Sequence, residues 1–246
     1  MGENIHYDRL HQKPPDLIET IYDDFLARLE EKLADPRWDR NDIVRDILYE
    51  LYMGDVPDFR RLTDYKFPVG ARALMACFDP RHVILEAEYA DELDVNRYRE
   101  RKPLLWLWQV VDRSPLGANA YLGLKLRRLL APYIFQRVGE GFTCWEGVSL
   151  RFGYNISLGD RVTIHRQVVL DDGGEIEIGH DVIIGEYARI GVAREGRSPS
   201  SAQRKTIIGD GAVIGSGATI LAGAVIAPGA KVAAMGLAAP ERASAE

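Results

Sequence analysis

The side chains best suited to acid–base chemistry are a histidine and two aspartates close together in the chain, His165, Asp171 and Asp172. An imidazole titrates near neutral pH and therefore suits the role of general base toward a hydroxyl group. Either carboxylate would orient that imidazole and raise its basicity. The same residues also fit a polar contact between subunits, with the aspartates capping the turn before the Gly-Gly pair at 173–174. The residue types alone leave both interpretations open.

These candidates lie inside a six-residue repeat that occupies the last third of the chain. A large aliphatic residue recurs with this period, apart from a two-residue slip at 173–174 and a polar insertion at 191–205. The aliphatic positions are Leu158, Ile164, Leu170, Ile178, Ile184, Ile190, Ile208, Ile214, Ile220, Ile226 and Val232. Most are followed four residues later by a small or branched residue, at Val162, Val168, Val182, Ala188, Ala212, Ala218, Ala224 and Ala230.

The period of this repeat predicts a solenoid. Neither an α-helix nor an ordinary strand repeats every six residues over such a length. A prism-shaped coil does, because each flat face needs one inward aliphatic residue and one small residue before its corner. His165 follows an inward residue, so its side chain is expected to point outward near a corner. His180 is expected at an exposed position of the repeat.

Composition narrows the classes of function. The 246 residues carry 46% hydrophobic and 28% charged side chains, as in ordinary globular proteins. A net charge of -6 argues against a nucleic-acid partner. The two cysteines, Cys77 and Cys144, are too few for a disulfide framework or a zinc site, which fits a cytoplasmic protein. The sequence shows neither a signal peptide nor an apolar run that would insert stably into a bilayer.

The N-terminal part of the chain has helix patterns instead of hexads. Amphipathic patterns predict helical segments at 16–33, 42–54, 69–78, 104–111 and 116–138. Asp16 and Glu19 resemble a capping box at the start of the first segment, and Gly54 is placed to end the second. Pro103 and Pro115 are expected to introduce the last two segments.

These patterns divide the chain into four parts and place it in the α+β class. A flexible tail is expected over 1–15, a mainly helical region over 16–140, a parallel β-helix over 141–240 and a short tail over 241–246. The aromatic and basic residues between Trp106 and Arg128 fit a helix lying on a membrane surface. They also fit a helix packed against the solenoid end or a neighbouring subunit, because a solenoid end needs a cap.

Residues 141–239 resemble the hexapeptide-repeat acyltransferases, and within them the maltose/galactoside O-acetyltransferase branch. The resemblance rests on the repeats IGHDVI, IGEYAR, IGDGAV and IGSGAT and on the stretch FGYNISLGDRVTIHRQVVLDD. It implies a left-handed β-helix, an exception to the usual right-handed crossover. It also implies a homotrimer with active sites between adjacent solenoids.

The resemblance further implies an acyl-CoA co-substrate, usually acetyl-CoA, lying along the groove between two subunits. The matching wall positions are Ser216 and Ala234, with Ala222 and Gly223 beside them. Small residues there would allow the close backbone approach that a narrow, extended ligand needs, although coil corners require small residues in any case. A histidine of the family takes a proton from the acceptor hydroxyl, which then attacks the thioester. His165, with Asp172 or Asp171 as orienting group, is the candidate for this role.

The chain departs from the family pattern at two places. Ala193 stands about where the family carries its catalytic histidine, and the chain ends before the family's last strand. The insertion Gly191–Lys205 interrupts the repeat, and loops of this kind in solenoids often carry function. Its cations, Arg194, Arg197, Arg204 and Lys205, would suit an anionic acceptor or the CoA phosphates, but a solvated excursion has the same composition.

Three functions are therefore open. The first is an acyl-CoA-dependent O-acyltransferase acting on a sugar or another small hydroxyl acceptor. The second is a non-catalytic trimeric scaffold or binding protein that has lost the family's chemistry. The third is a metalloenzyme resembling the γ-class carbonic anhydrases, which is disfavoured because only His165 and His180 lie in the solenoid and zinc there needs three imidazoles.

Overall fold

The computed structural model describes residues 13–193 and 205–240. The first part of this range is helical, as the amphipathic patterns predict. The α-helices are α1 (Asp16–Ala34), α2 (Arg40–Met53), α3 (Val69–Ala76), α4 (Val95–Asp112), α5 (Pro115–Ala118) and α6 (Ala120–Ile134). Short 3-10 turns at Phe59–Leu62, Pro80–His82 and Glu86–Tyr89 connect them.

The helix ends agree with the sequence at some points and correct it at others. Gly54 adopts a left-handed conformation (φ 65°) and ends α2, as predicted. The capping box expected at Asp16 and Glu19 is absent, because Pro15 occupies the N-cap position. Glu19 accepts a hydrogen bond from the Tyr121 hydroxyl instead (2.6 Å), which ties α1 to α6.

Pro103 lies inside α4 and does not begin a helix, contrary to the sequence-based expectation. The helix starts at Val95, where the Asp94 carboxylate accepts hydrogen bonds from the backbone of Asn96 and Arg97. Polar residues dominate its first half, so apolar periodicity revealed only the second half. Tertiary packing therefore extends the helix beyond what the local pattern indicates.

The second half of the chain is the predicted left-handed parallel β-helix, with three faces. Face A contains β3 (Ile156–Leu158), β6 (Ile176–Ile178), β9 (Thr206–Ile208) and β12 (Val225–Ile226). Face B contains β1 (Thr143–Cys144), β4 (Thr163–Ile164), β7 (Ile183–Ile184), β10 (Val213–Ile214) and β13 (Lys231–Val232). Face C contains β2 (Ser149–Leu150), β5 (Val169–Leu170), β8 (Arg189–Val192), β11 (Thr219–Leu221) and β14 (Leu237–Ala238).

The hexad positions form the interior of this prism. The aliphatic residues from Leu158 to Ile226 and the small residues from Val162 to Ala224 are buried, while Val232 and Ala230 in the last coil are partly exposed. The register shows two early coils of equal length, since Ile156 pairs with Ile176 and Thr143 with Thr163. Backbone pairing begins at Gln136, whose N–H donates to the Ile156 carbonyl, slightly before the boundary expected at 141.

The helical region packs directly on the first coil, and both parts share one hydrophobic core. The Trp108 indole donates to the Val148 carbonyl (3.1 Å), and Trp108, Tyr121 and Arg127 are buried. The aromatic and basic segment is therefore a packed cap of the solenoid and not a surface helix. Among the described residues, none of the helices combines the length and apolarity needed to span a bilayer.

Candidate functional site

His165 lies at the corner where each coil turns from face B to face C, called here the BC corner. Its residues stack in columns from coil to coil, as the backbone hydrogen bonds along the prism show. The first column contains Trp145, His165, Gly185, Gly215 and Ala233, and the second contains Glu146, Arg166, Glu186, Ser216 and Ala234. The structure therefore brings three of the predicted site residues, His165, Ser216 and Ala234, to one edge of the molecule.

The imidazole of His165 is half-buried and points outward, as expected. It stacks on the Trp145 indole with ring centroids 6.4 Å apart and planes within 3°. Burial lowers the pKa of His165 below its ordinary value of 6.5, while Glu186 raises it and Arg166 lowers it further. Arg166 pairs with Glu146 and lies 3.6 Å from Glu186. The imidazole is therefore neutral at pH 7 and able to accept a proton.

Beyond His165 the first column of the corner contains only small residues, while Glu186, Tyr187 and Met235 project side chains from the neighbouring columns. Gly185, Gly215 and Ala233 continue its column, and Ser216 and Ala234 beside them are exposed. Ser216 lies two coils from His165, about 10 Å at the usual spacing between paired strands. A Cβ on Gly215 would lie 2.4 Å from the Ala234 backbone nitrogen, so close stacking of the coils already requires this glycine. Although coil stacking already accounts for this glycine, the small residues leave backbone exposed along the edge.

Ala222 lies at a different corner, between faces C and A, called here the CA corner. Its backbone N–H donates to the Val192 carbonyl (3.0 Å). Face C separates it from Ser216 and Ala234 within the same chain. The expectation that these three residues form one wall therefore does not hold inside a single subunit.

Asp172 does not orient His165, which corrects the sequence-based assignment. Its carboxylate is fully buried at the CA corner and accepts hydrogen bonds from the backbone of Phe152 (2.8 Å), Arg151 (3.2 Å) and Asn155 (3.3 Å). Burial raises the pKa of Asp172 to about 6, and the backbone donors act in the opposite direction. Asp172 thus caps the turn at 151–155 in the preceding coil and not, as the sequence suggested, the turn at 173–174.

A groove lies between the helical region and face C and encloses a cavity of about 880 Å³. The helical wall is formed by residues 85–92 and by α4, and the floor by strands β2, β5 and β8. One end of the groove reaches Gly147 and Gln167, which belong to the BC corner of His165. The other end reaches Asp171 and Val192 at the CA corner. The groove therefore crosses face C from one corner to the other, over its first three strands.

A partly buried charge cluster lies in this groove. Arg151 bridges the carboxylates of Glu92 (2.9 Å) and Asp171 (3.2 Å). Tyr98, which also lines the cavity, is only 3% exposed, and its hydroxyl has no hydrogen-bond partner among the described residues. The hydroxyl oxygen has almost no accessible surface, so a molecule in the groove would not reach it without a rearrangement.

Sequence reasoning missed Arg151, Glu92, Tyr98 and Gln167. A signal for Arg151 was present, since the spacing of Cys144, Leu150 and Leu158 repeats the later spacing with its slip. Extending the repeat backward places Arg151 one coil before Asp171. No comparable signal existed for the helical residues, because their positions depend on docking between the two parts of the chain.

The remaining predictions concern the insertion and the other histidine. Arg194, Arg197 and Arg204 lie outside the described residues, as do most of the two predicted tails. Lys205 pairs with Glu177 and lies 3.7 Å from Glu175. His180 is exposed, as predicted, and contacts Asp160 at 3.2 Å. Within 13–193 and 205–240, no group of three or more potential metal ligands converges.

No protein-family model matches the chain. Among solved structures it is similar to a hexapeptide-repeat acetyltransferase of Vibrio cholerae in complex with acetyl coenzyme A, with 19% identity over 68% of this chain and 100% of that chain (TM-score 0.38). It is also similar to serine acetyltransferase of Neisseria gonorrhoeae, with 17% identity over 94% of each chain (TM-score 0.33).

A third similar structure is a variant of AntD, an N-acyltransferase from Bacillus cereus, in complex with dTDP and coenzyme A. Its identity is 21% over 45% of this chain and 77% of that chain, with a TM-score of 0.35. Identities and scores at this level do not carry an activity or a substrate over to this chain.

Proposed function

We propose that this chain is an acyl-CoA-dependent O-acyltransferase of the hexapeptide-repeat type. It transfers an acyl group, in the first instance acetyl, to a hydroxyl of a sugar or another small acceptor, as in the maltose/galactoside branch. The observation that supports it best is the BC corner, where a neutral, half-buried His165 meets both a column of small residues and the end of a large groove.

In this proposal each part of the corner has a separate task. The pantetheine arm of acyl-CoA lies along the exposed edge at Ser216 and Ala234, where small residues allow close approach. Nε2 or Nδ1 of His165 accepts the proton of the acceptor hydroxyl, and the acceptor oxygen forms the new bond to the thioester carbonyl carbon. The carbon–sulfur bond then breaks, and the CoA sulfur takes the proton back from the imidazolium.

The test is release of free CoA thiol from acetyl-CoA in the presence of a panel of sugars. The native chain is expected to release thiol, and His165→Asn to lower kcat by roughly 100- to 10,000-fold, the usual contribution of a general base. Calorimetric titration with CoA supplies an independent readout, which His165→Asn should leave nearly unchanged. If the native chain neither releases thiol nor binds CoA, the proposal is wrong.

The alternative is a non-catalytic scaffold or binding protein. Two observations favour it: Ala193 stands in place of the family's loop histidine, and Asp172 serves the backbone instead of an imidazole. An Ala193→His variant distinguishes the acyltransferase from the non-catalytic protein. Thiol release by that variant alone would support a degenerate enzyme, whereas turnover by the native chain would eliminate this alternative.

The assembly and location belong to the same proposal. We expect a cytoplasmic homotrimer in which the BC corner faces a neighbouring solenoid. Exposed apolar side chains on the β-helix, such as Tyr187, Val225, Met235 and Leu237, support burial against another copy. Both cysteines are free thiols, which suits a reducing compartment.

A further inference from the structure

The groove on face C has the size and position of an acceptor site. Its cavity of about 880 Å³ falls within the range of small-molecule pockets in proteins. The groove ends at Gly147 and Gln167, two residues along the chain from Trp145 and His165 respectively. A molecule in the groove would therefore place one end beside the candidate base, while the column of small residues at the corner stays free for the donor.

The charges of the described lining residues restrict what the groove can hold. Five carboxylates line it, Glu86, Asp91, Glu92, Asp112 and Asp171, against three guanidinium groups, Arg113, Arg151 and Arg189. Arg151 is already neutralised by its two carboxylate partners. Asp112 is neutralised by Arg127 from behind the wall (2.8 Å). Since Arg113 and Arg189 offset the two other carboxylates, the lining keeps one uncompensated negative charge, in the Arg151 cluster, and this disfavours anionic ligands.

Neutral hydrogen-bonding groups complete the lining. Ser149, Gln109 and Gln167 offer hydroxyl and amide groups. The positive φ of Gln167 (58°) is shared by Tyr187 and Met235 at the same position of later coils, so it belongs to the regular corner of the β-helix. Hydroxyl groups of a ligand match this set of donors and acceptors well.

We propose that this groove binds the acceptor, and that the acceptor is a hydroxylated small molecule with zero or positive charge. Phosphorylated and carboxylated compounds are disfavoured by the uncompensated negative charge of the lining. The assignment of the ligand as an acceptor rests on the proposed acyltransferase function. The binding preference itself is measurable without any donor.

The experiment compares three probes of one shape and different charge: glucose, glucosamine and glucose 6-phosphate. Affinities are measured at pH 7 by calorimetry, and saturation-transfer NMR reports contact with the protein. Glucosamine, cationic at this pH, is expected to bind most tightly and glucose 6-phosphate at least about tenfold more weakly. Asp171→Asn should narrow this difference, because it removes a carboxylate and releases Arg151 toward the groove.

Ser149→Ala separates binding from folding. Ser149 lines the groove and is exposed, so removal of its hydroxyl should leave the thermal midpoint unchanged. The same change should weaken the binding of glucose and glucosamine several-fold. A control variant, Arg161→Ala, alters an exposed ion pair outside the groove and should change neither quantity.

Three outcomes would overturn the inference: no binding of any probe, tightest binding of glucose 6-phosphate, or affinities that change with neither Ser149→Ala nor Asp171→Asn. A separate titration with CoA keeps the two proposals distinguishable. If the chain binds CoA and releases thiol but binds no sugar, only the assignment of the groove is wrong. If the chain binds sugars with the expected charge preference but does not bind CoA, the proposed acyltransferase function is wrong and the groove is a sugar-binding site.

Discussion

Burial and charge act in opposite directions on the imidazole of His165. Burial against Trp145 lowers its pKa, the Glu186 carboxylate raises it, and the Arg166 guanidinium lowers it again. The sequence had suggested a neighbouring aspartate that raises the basicity. The structure instead supplies a neutral imidazole whose proton affinity is set by its packing.

This balance predicts opposite shifts for two substitutions. Trp145→Ala exposes the imidazole and should raise the pKa of His165 toward its ordinary value of 6.5. Glu186→Gln removes the attractive carboxylate and should lower that pKa further. Because a general base acts only when deprotonated, the acid limb of kcat/KM should move to higher pH in the first variant and to lower pH in the second.

NMR titration of the His165 C2 proton checks both shifts without relying on turnover. His180 provides an internal reference, since it lies at another corner and contacts Asp160. Equal pKa values in the native chain and both variants would show that packing and charge at the BC corner do not control this group. Shifts of the pKa without matching shifts of the acid limb would show that His165 is not the base.

At the scale of elements, the coils follow from local sequence to an unusual degree. Each hexad fills one face, so the burial of Ile164, Ile184 and Ile214 could be predicted from spacing alone. The hydrogen-bond partners of Asp172 could not be predicted in this way. They lie one coil away, and several backbone N–H groups there are close enough to bind the carboxylate. The groove could not be predicted from the sequence either, because it forms only where α4 and residues 85–92 dock on face C.

Close stacking of the coils gives a prediction about glycine positions. Gly215→Ala places a Cβ 2.4 Å from the Ala234 nitrogen of the next coil, a contact with backbone that cannot move aside cheaply. The last coil should therefore separate, with faster amide exchange at 231–238 and a lower thermal midpoint. Gly174→Ala is the matched control, because a Cβ there meets nothing within 4 Å. Unchanged exchange in the Gly215 variant would mean that the last coil is not packed as described.

At the scale of the whole molecule, a buried ion pair between α4 and α6 helps to hold the helical region to the β-helix. Nε of Arg127 donates to Asp112 (2.8 Å), and its two Nη groups donate to the carbonyls of Gly117 (2.6 Å) and Cys144 (3.2 Å). The other oxygen of Asp112 accepts from the Gly147 backbone (2.8 Å) at the BC corner. The same pair therefore fixes the helices, the first coil and the turn at the end of the groove.

Removal of Arg127 alone should destabilise both parts of the chain together. Arg127→Met leaves Asp112 buried without its cation, which typically costs about 3–5 kcal/mol of unfolding free energy. Adding Asp112→Asn should recover part of that loss, because the uncompensated charge disappears.

Denaturant unfolding followed by circular dichroism and by tryptophan fluorescence should give coincident transitions in every variant, since one core spans both parts. Arg161→Ala, which breaks an exposed pair, should cost little or nothing. If the single and double variants lose equal stability, the cost comes from lost packing and not from an unpaired carboxylate; if the two signals separate, the helical region and the β-helix fold independently.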